Sequence, residues 1–97
     1  MVTVSVAAAD IFGRAVRAAQ RFNEWMMGDL EMEIVAVRDG EVKLLIRQGC
    51  ACSLDFSLKE EVESAFRDEG LEVEAKVEGW DVDEGGYRVT VRVLGVR

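Results

Sequence analysis

The sequence predicts an α+β fold, a two-layer sandwich with two helices on one face of a mainly antiparallel four-stranded sheet. Two observations on pattern and one on order lead there. Two stretches place apolar residues at steps of three and four, and four others are strand-like, rich in branched apolar residues or alternating apolar with polar. These elements follow as helix, hairpin, helix, hairpin (α-β-β-α-β-β), and such segregation favours helices packed on one side of an antiparallel sheet. A chain of 97 residues, 49% of them hydrophobic, holds one core and not two. A single α+β domain over residues 1–97 is the expectation.

At the start, Val2, Val4 and Val6 alternate with Thr3 and Ser5, which fits a short N-terminal strand. From Asp10 to Met27, Phe12, Ala15, Val16, Ala19, Phe22 and Met26 make one apolar stripe, while Arg14, Arg17, Arg21 and Glu24 take the other side. Asp10 is placed to cap the first turn of this helix, and Gly28 to close the last turn in the left-handed conformation.

Leu30 to Arg38 and Glu41 to Arg47 are joined by Asp39-Gly40, a pair suited to a two-residue turn with positive φ angles. That turn sets Arg38 opposite Glu41, Val37 opposite Val42 and Val35 opposite Leu44. The reverse face then carries Met32, Ile34 and Leu45 beside Lys43 and Arg47, so a partial cover is expected there, a dimer partner being one candidate.

Ser57 and Glu60 form the S-x-x-E arrangement of a helix start. Leu58, Val62, Ala65 and Phe66 mark the buried stripe of this second helix, and Gly70 follows its last turn. Leu71, Val73, Ala75 and Val77 then alternate with Glu72, Glu74, Lys76 and Glu78, and Tyr87, Val89, Val91 and Val93 with Arg88, Thr90 and Arg92. These two strands are expected to pair across a loop from Gly79 to Gly86. LEMEIVAV after Gly28 and LEVEAKVE after Gly70 make a short echo, of the kind that two strands obeying one pattern produce.

The net charge of −7 opposes sequence-independent association with nucleic acid or anionic membranes by like-charge repulsion. Arg14, Arg17 and Arg21 recur at helical spacing and read either as a solvated face or as a local basic patch. No apolar run is long enough to span a bilayer, and the start has no basic region followed by a long apolar stretch, so a cytoplasmic location is expected. Two cysteines one residue apart agree with a reducing compartment. The charged fraction of 32%, with Gln20, Asn23 and Gln48 as the only side-chain amides, resembles that of thermophilic proteins.

The chemistry search is mostly negative. The chain has no histidine, hence no His-dependent triad, and no P-loop, dinucleotide fingerprint or serine nucleophile elbow. A non-enzymatic protein is the expectation. Cys50 and Cys52 are the candidate metal ligands: paired thiolates in a loop suit a soft metal, but two sulfurs fill half of a tetrahedral site. Asp55, an exogenous thiol or the same pair from a second subunit would complete it. The competing reading makes both cysteines small buried hydrophobes. The acidic run Asp81 to Glu84 lacks the ligand spacing of a calcium loop and reads as a solvated turn. Trp80, at the start of that run, and Trp25, followed by Met26 and Met27, are candidate partner-binding anchors, with core or loop packing as the alternative.

The run GDLEMEIVAVRDGEVKLLIRQGCACSLDFSLKEEVESAF resembles the C-terminal domain of NifU-type iron–sulfur scaffold proteins, in its strand-turn-strand, its glycine with a cysteine pair, and its Leu-Lys at a helix start. The likeness extends from Gly28 through Val77, and the element order is also similar to the MIP18-like domain of cluster-assembly factors. It implies an iron–sulfur carrier or scaffold with Cys50 and Cys52 matching the cluster-binding pair. That family spaces its cysteines by two residues and follows them with proline; here one residue intervenes and proline is absent. The order of hairpin, cysteine-bearing loop, helix and final strands is similar to the V4R ligand-binding domains too, which implies a small-molecule sensor. The expectation is thus a non-enzymatic module, a homodimer, that binds a partner protein or handles an iron–sulfur cluster or zinc, with the sensor as alternative.

Overall fold

The computed structural model describes the backbone of residues 2–48 and 57–96, and the side chains of residues 10–48 and 57–96. Along the chain run α1 (Val2–Met26), β1 (Leu30–Arg38), β2 (Glu41–Gln48), α2 (Leu58–Arg67), β3 (Leu71–Asp81) and β4 (Gly86–Val96). All strand pairs are antiparallel, and the sheet order β1-β2-β4-β3 places both hairpins side by side with β1 and β3 at the edges. Both helices and all four strands contribute to one continuous core, with Phe22 and Met26 of α1 and Val62 and Phe66 of α2 set against Met32, Ile46, Val73 and Val89 of the sheet. This is the two-layer α+β sandwich that the periodicities imply.

The expected N-terminal strand is replaced by helix. α1 starts at Val2, so Asp10 lies inside it and pairs with Arg14 one turn on, at 2.9 Å, instead of capping it. The physical reason is cooperativity: once a helix is nucleated, each added residue gains a hydrogen bond, and Ala7, Ala8 and Ala9 are the best helix formers available. The strand-like alternation of the preceding valines costs only a few tenths of a kcal/mol each in a helix. Met27 (φ 52°) and Gly28 (φ 92°) end α1 in the left-handed region.

The first hairpin turns at Asp39 (φ 53°) and Gly40 (φ 76°), the paired positive angles of the mirror-image turn that matches strand twist. Arg38 faces Glu41 and Val37 faces Val42, but Leu44 faces Ile34 and not Val35. Val35 is the extra residue of a β-bulge and is half exposed. The bulge shifts the phase of β1 so that Leu30, Met32 and Ile34 share the core side with Val37. Met32 and Ile34 therefore belong to the core and not to the reverse face. Leu45 alone of the three stays there, 2% exposed, with Glu33 and Arg88 opposite it on the neighbouring strands.

Ser57 caps α2 as expected, its Oγ accepting a hydrogen bond from the Glu60 amide at 3.3 Å. β3 and β4 run further than the alternation indicates. They pair through Trp80–Tyr87 and Asp81–Gly86, so the connection is only the turn 82–85, and β4 continues to Val96.

The hairpins are equivalent in a way the sequence echo misaligns. The Asn23 side chain accepts from the Met32 amide at 2.6 Å and donates to its carbonyl at 3.2 Å, while the Glu63 carboxylate accepts from the Ala75 amide at 2.9 Å. Each helix thus ties down the middle of its edge strand. Each edge strand then bulges at the same distance beyond that tie, at Val35 and at Glu78, and ends at the same distance again, at Arg38 and Asp81. The geometry matches Met32 with Ala75, whereas the echo would match Leu30 with Leu71, one pleat away. A period-two pattern cannot tell these apart.

Candidate functional site

α1 and α2 face the sheet with stripes that leave a cleft between the helices. Phe22 and Met26 point into the core from α1, and Trp25, on the flank of that stripe, stands 74% exposed. On α2 the buried stripe is Leu58, Val62, Ala65 and Phe66, which puts Glu61 and Asp68 on the flank. Between them lies a cleft of ≈ 420 Å³ lined by Phe22, Trp25 and Ala65 with Arg21, Glu61, Ser64 and Asp68 at its rim. The small side chains of Ser64 and Ala65 leave that space unfilled.

The charges at this rim are unequal in availability. Glu69, in the turn after α2, receives Arg17 Nε at 2.8 Å and Arg21 at 2.7 Å on its two oxygens, and its carbonyl accepts from Arg14 at 2.8 Å. The bonds from Arg17 and Arg21 hold the Glu69 carboxyl below the ordinary range, outweighing burial, and the same bond to Glu69 raises Arg21. The three arginines that read as a possible basic patch are thus a clamp joining α1 to the α2–β3 turn. Arg21 is held on Glu69 and also feels the charge of Asp68, while among the described residues no salt bridge engages Glu61 or Asp68. The rim is acidic in effect.

Glu63, one turn from Lys59 and from Arg67, is the other carboxylate that sequence reasoning passed over. Burial works against its ionisation, but the Lys59 hydrogen bond at 2.6 Å, the Ala75 amide and the Lys59 and Arg67 charges outweigh it and lower its pKa. Its signal is the i, i+4 spacing to both cations within the apolar stripe of α2.

Trp80 sits on edge strand β3 and meets Tyr87 edge-to-face, with centroids 4.9 Å apart and planes at 79°. It is 48% exposed and lines a different cleft from Trp25, with Glu78, Val82 and Arg88. The structure does not assemble the two tryptophans into one site. The acids beside Trp80 are engaged: Asp81 accepts from the Glu84 amide and pairs with Arg88 at 2.8 Å, and Glu84 pairs with Arg47 at 2.8 Å. The Glu84 amide, and then Arg88, hold Asp81 below its ordinary range.

Cys50, Cys52 and Asp55 lie outside the described residues. Among the described residues no cluster of three or more potential metal ligands occurs, and no helix is long and apolar enough to cross a membrane. Compared with known protein families, curated proteins and solved structures, the chain matches none.

Proposed function

We propose that this chain is a non-enzymatic protein-interaction module whose contact surface is anchored on Trp25. The observation that carries the reading is an indole left 74% exposed on the wall of an interhelical cleft, while its neighbours Phe22 and Met26 are buried. A large amphipathic ring on the wall of a concave patch is the residue type that dominates binding energy at protein interfaces. The carboxylates held low here are tied to arginines, lysines or backbone amides, which suits structure and not proton transfer. A sensor would need a hollow between sheet and helices, where Phe22, Met26, Ile46 and Phe66 instead pack into the core.

The test replaces Trp25 with benzoylphenylalanine, a photo-crosslinking residue that keeps a large aromatic side chain there, and, as control, does the same at Leu94, which is 63% exposed on β4. Discrete adducts of one partner at position 25, absent at position 94, are expected. Indistinguishable labelling at the two positions would refute the assignment. Iron or zinc handling at Cys50 and Cys52 rests on the resemblance and on paired thiols without a catalytic histidine. It carries its own expectation, that a Cys50→Ser/Cys52→Ser variant takes up neither metal anaerobically while the parent does.

A further inference from the structure

We infer that the cleft between α1 and α2 receives a basic amphipathic helix of the partner protein, its apolar side against Trp25 and its cations on Glu61 and Asp68. This rests on the interaction reading above and adds the mode of binding and the chemistry of the partner.

The mode follows from what the fold has closed. A small sheet usually recruits a peptide by adding a strand to an edge, through unpaired backbone groups. Here the amide and carbonyl of Met32 on β1 are both taken by Asn23, and the amide of Ala75 on β3 is taken by Glu63. Bulges at Val35 and Glu78 break the regular spacing of both edges just beyond those ties. Neither edge offers an uninterrupted ladder. The cleft between α1 and α2 is a concave surface with apolar walls, and a groove between two helices suits the side chains of a third.

The chemistry follows from charge and spacing. With Arg21 held on Glu69 at 2.7 Å, the rim presents Glu61 and Asp68 free of salt bridges among the described residues. Glu61 lies in the first turn of α2 and Asp68 is its C-cap, seven residues on and roughly 10 Å along the axis. A helix lying along the cleft meets them with basic residues at i and i+7, and sets apolar residues at i+3 and i+4 against Trp25 and Ala65. The net charge of −7 draws such a segment in and repels an acidic one.

The experiment uses the full chain carrying Trp80→Phe, so that fluorescence reports Trp25 alone. Two synthetic helices are titrated: one with lysines at i and i+7 and leucines at i+3 and i+4, repeated over about five turns, and a copy with glutamates for the lysines. The lysine helix should shift Trp25 emission saturably and bind at least tenfold more tightly than the glutamate helix at low salt. Glu61→Lys/Asp68→Lys should reverse that order, and Glu61→Gln/Asp68→Asn should abolish the preference, each checked for folding by circular dichroism. Equal binding of the two helices, no binding of either, or an order untouched by the charge reversal overturns the inference. If crosslinking at position 25 still captures a partner in that event, partner binding stands and only the basic-helix assignment falls; if crosslinking fails as well, both fall.

Discussion

Glu63 shows how one side chain joins layers that hydrophobic burial alone would leave free to slide. Its side chain is 7% exposed, and its oxygens are shared between Lys59, Arg67 and the amide of Ala75 on the edge strand. Removing it leaves a backbone amide and two cations without their acceptor, and a lost charged hydrogen bond of this kind costs on the order of 2 kcal/mol. Glu63→Ala should therefore lower unfolding stability by about that amount in urea titrations, while Glu63→Gln, which keeps an acceptor for Ala75, should lose less. Gly86 acts at the same scale by what it lacks. A Cβ there would lie 2.6 Å from the Ile46 carbonyl oxygen and 3.0 Å from Arg47 Cα, both backbone atoms. β2 and β4 would have to separate at that point, so Gly86→Ala should cost about 1–3 kcal/mol by the same measurement.

At the scale of elements, the bulge at Val35 is the informative case. Deleting Val35 would leave Leu30, Met32 and Ile34 where they are and bring Val37 into regular alternation behind them. The deletion variant should fold with less than about 1 kcal/mol lost, since an exposed residue is removed and every core side chain keeps its face. Under the pairing of Val35 with Leu44 that simple alternation suggests, Val35 would be a core side chain and the same deletion would exchange the faces of residues 30–34. The comparison shows where the sequence is legible. Asp39-Gly40 declares its turn because few residue pairs adopt two positive φ angles, and Ser57 with Glu60 declares a helix start because both bonds are local. Leu30-Met32-Ile34 and Val35-Val37 are two equally good apolar alternations, and only packing under α1 decides that a bulge at Val35 sets Val37 on the side of the first. Trp25 could be placed beside the stripe of Phe22 and Met26 from spacing alone, but its cleft depends on where α2 lies. The ties from Asn23 to Met32 and from Glu63 to Ala75 span a chain reversal and carry no local signature at all. Asn23→Ala should make the Met32 amide exchange with solvent much faster than in the parent, with β2 amides unchanged, in hydrogen-exchange experiments.

At the scale of the molecule, each helix is fastened to its surroundings by a carboxylate, and both carboxylates are set to remain ionised. Glu63 ties α2 to β3, and Glu69 ties α1 to the turn between α2 and β3. Both have folded-state pKa values below the ordinary glutamate value, Glu63 against the opposing effect of burial and Glu69 through Arg17 and Arg21. The unfolded chain therefore binds protons at a higher pH than the folded one, so the stability these groups contribute is complete above about 4.3 and is lost as the pH falls through their lowered folded values. Glu78 and Asp81 are lowered as well, but they face solvent, where screening leaves such pairs little effect on stability. The urea midpoint should accordingly be level from pH 7 to about 5 and fall steeply below about 4. In a Glu63→Gln/Glu69→Gln variant the midpoint should be lower at neutral pH and its acid decline shallower, because the two groups that link protonation to folding are gone. A variant with a lower midpoint but an unchanged acid slope would show that protonation unfolds the chain through other carboxylates, and that these two hold the layers together without governing their response to acid.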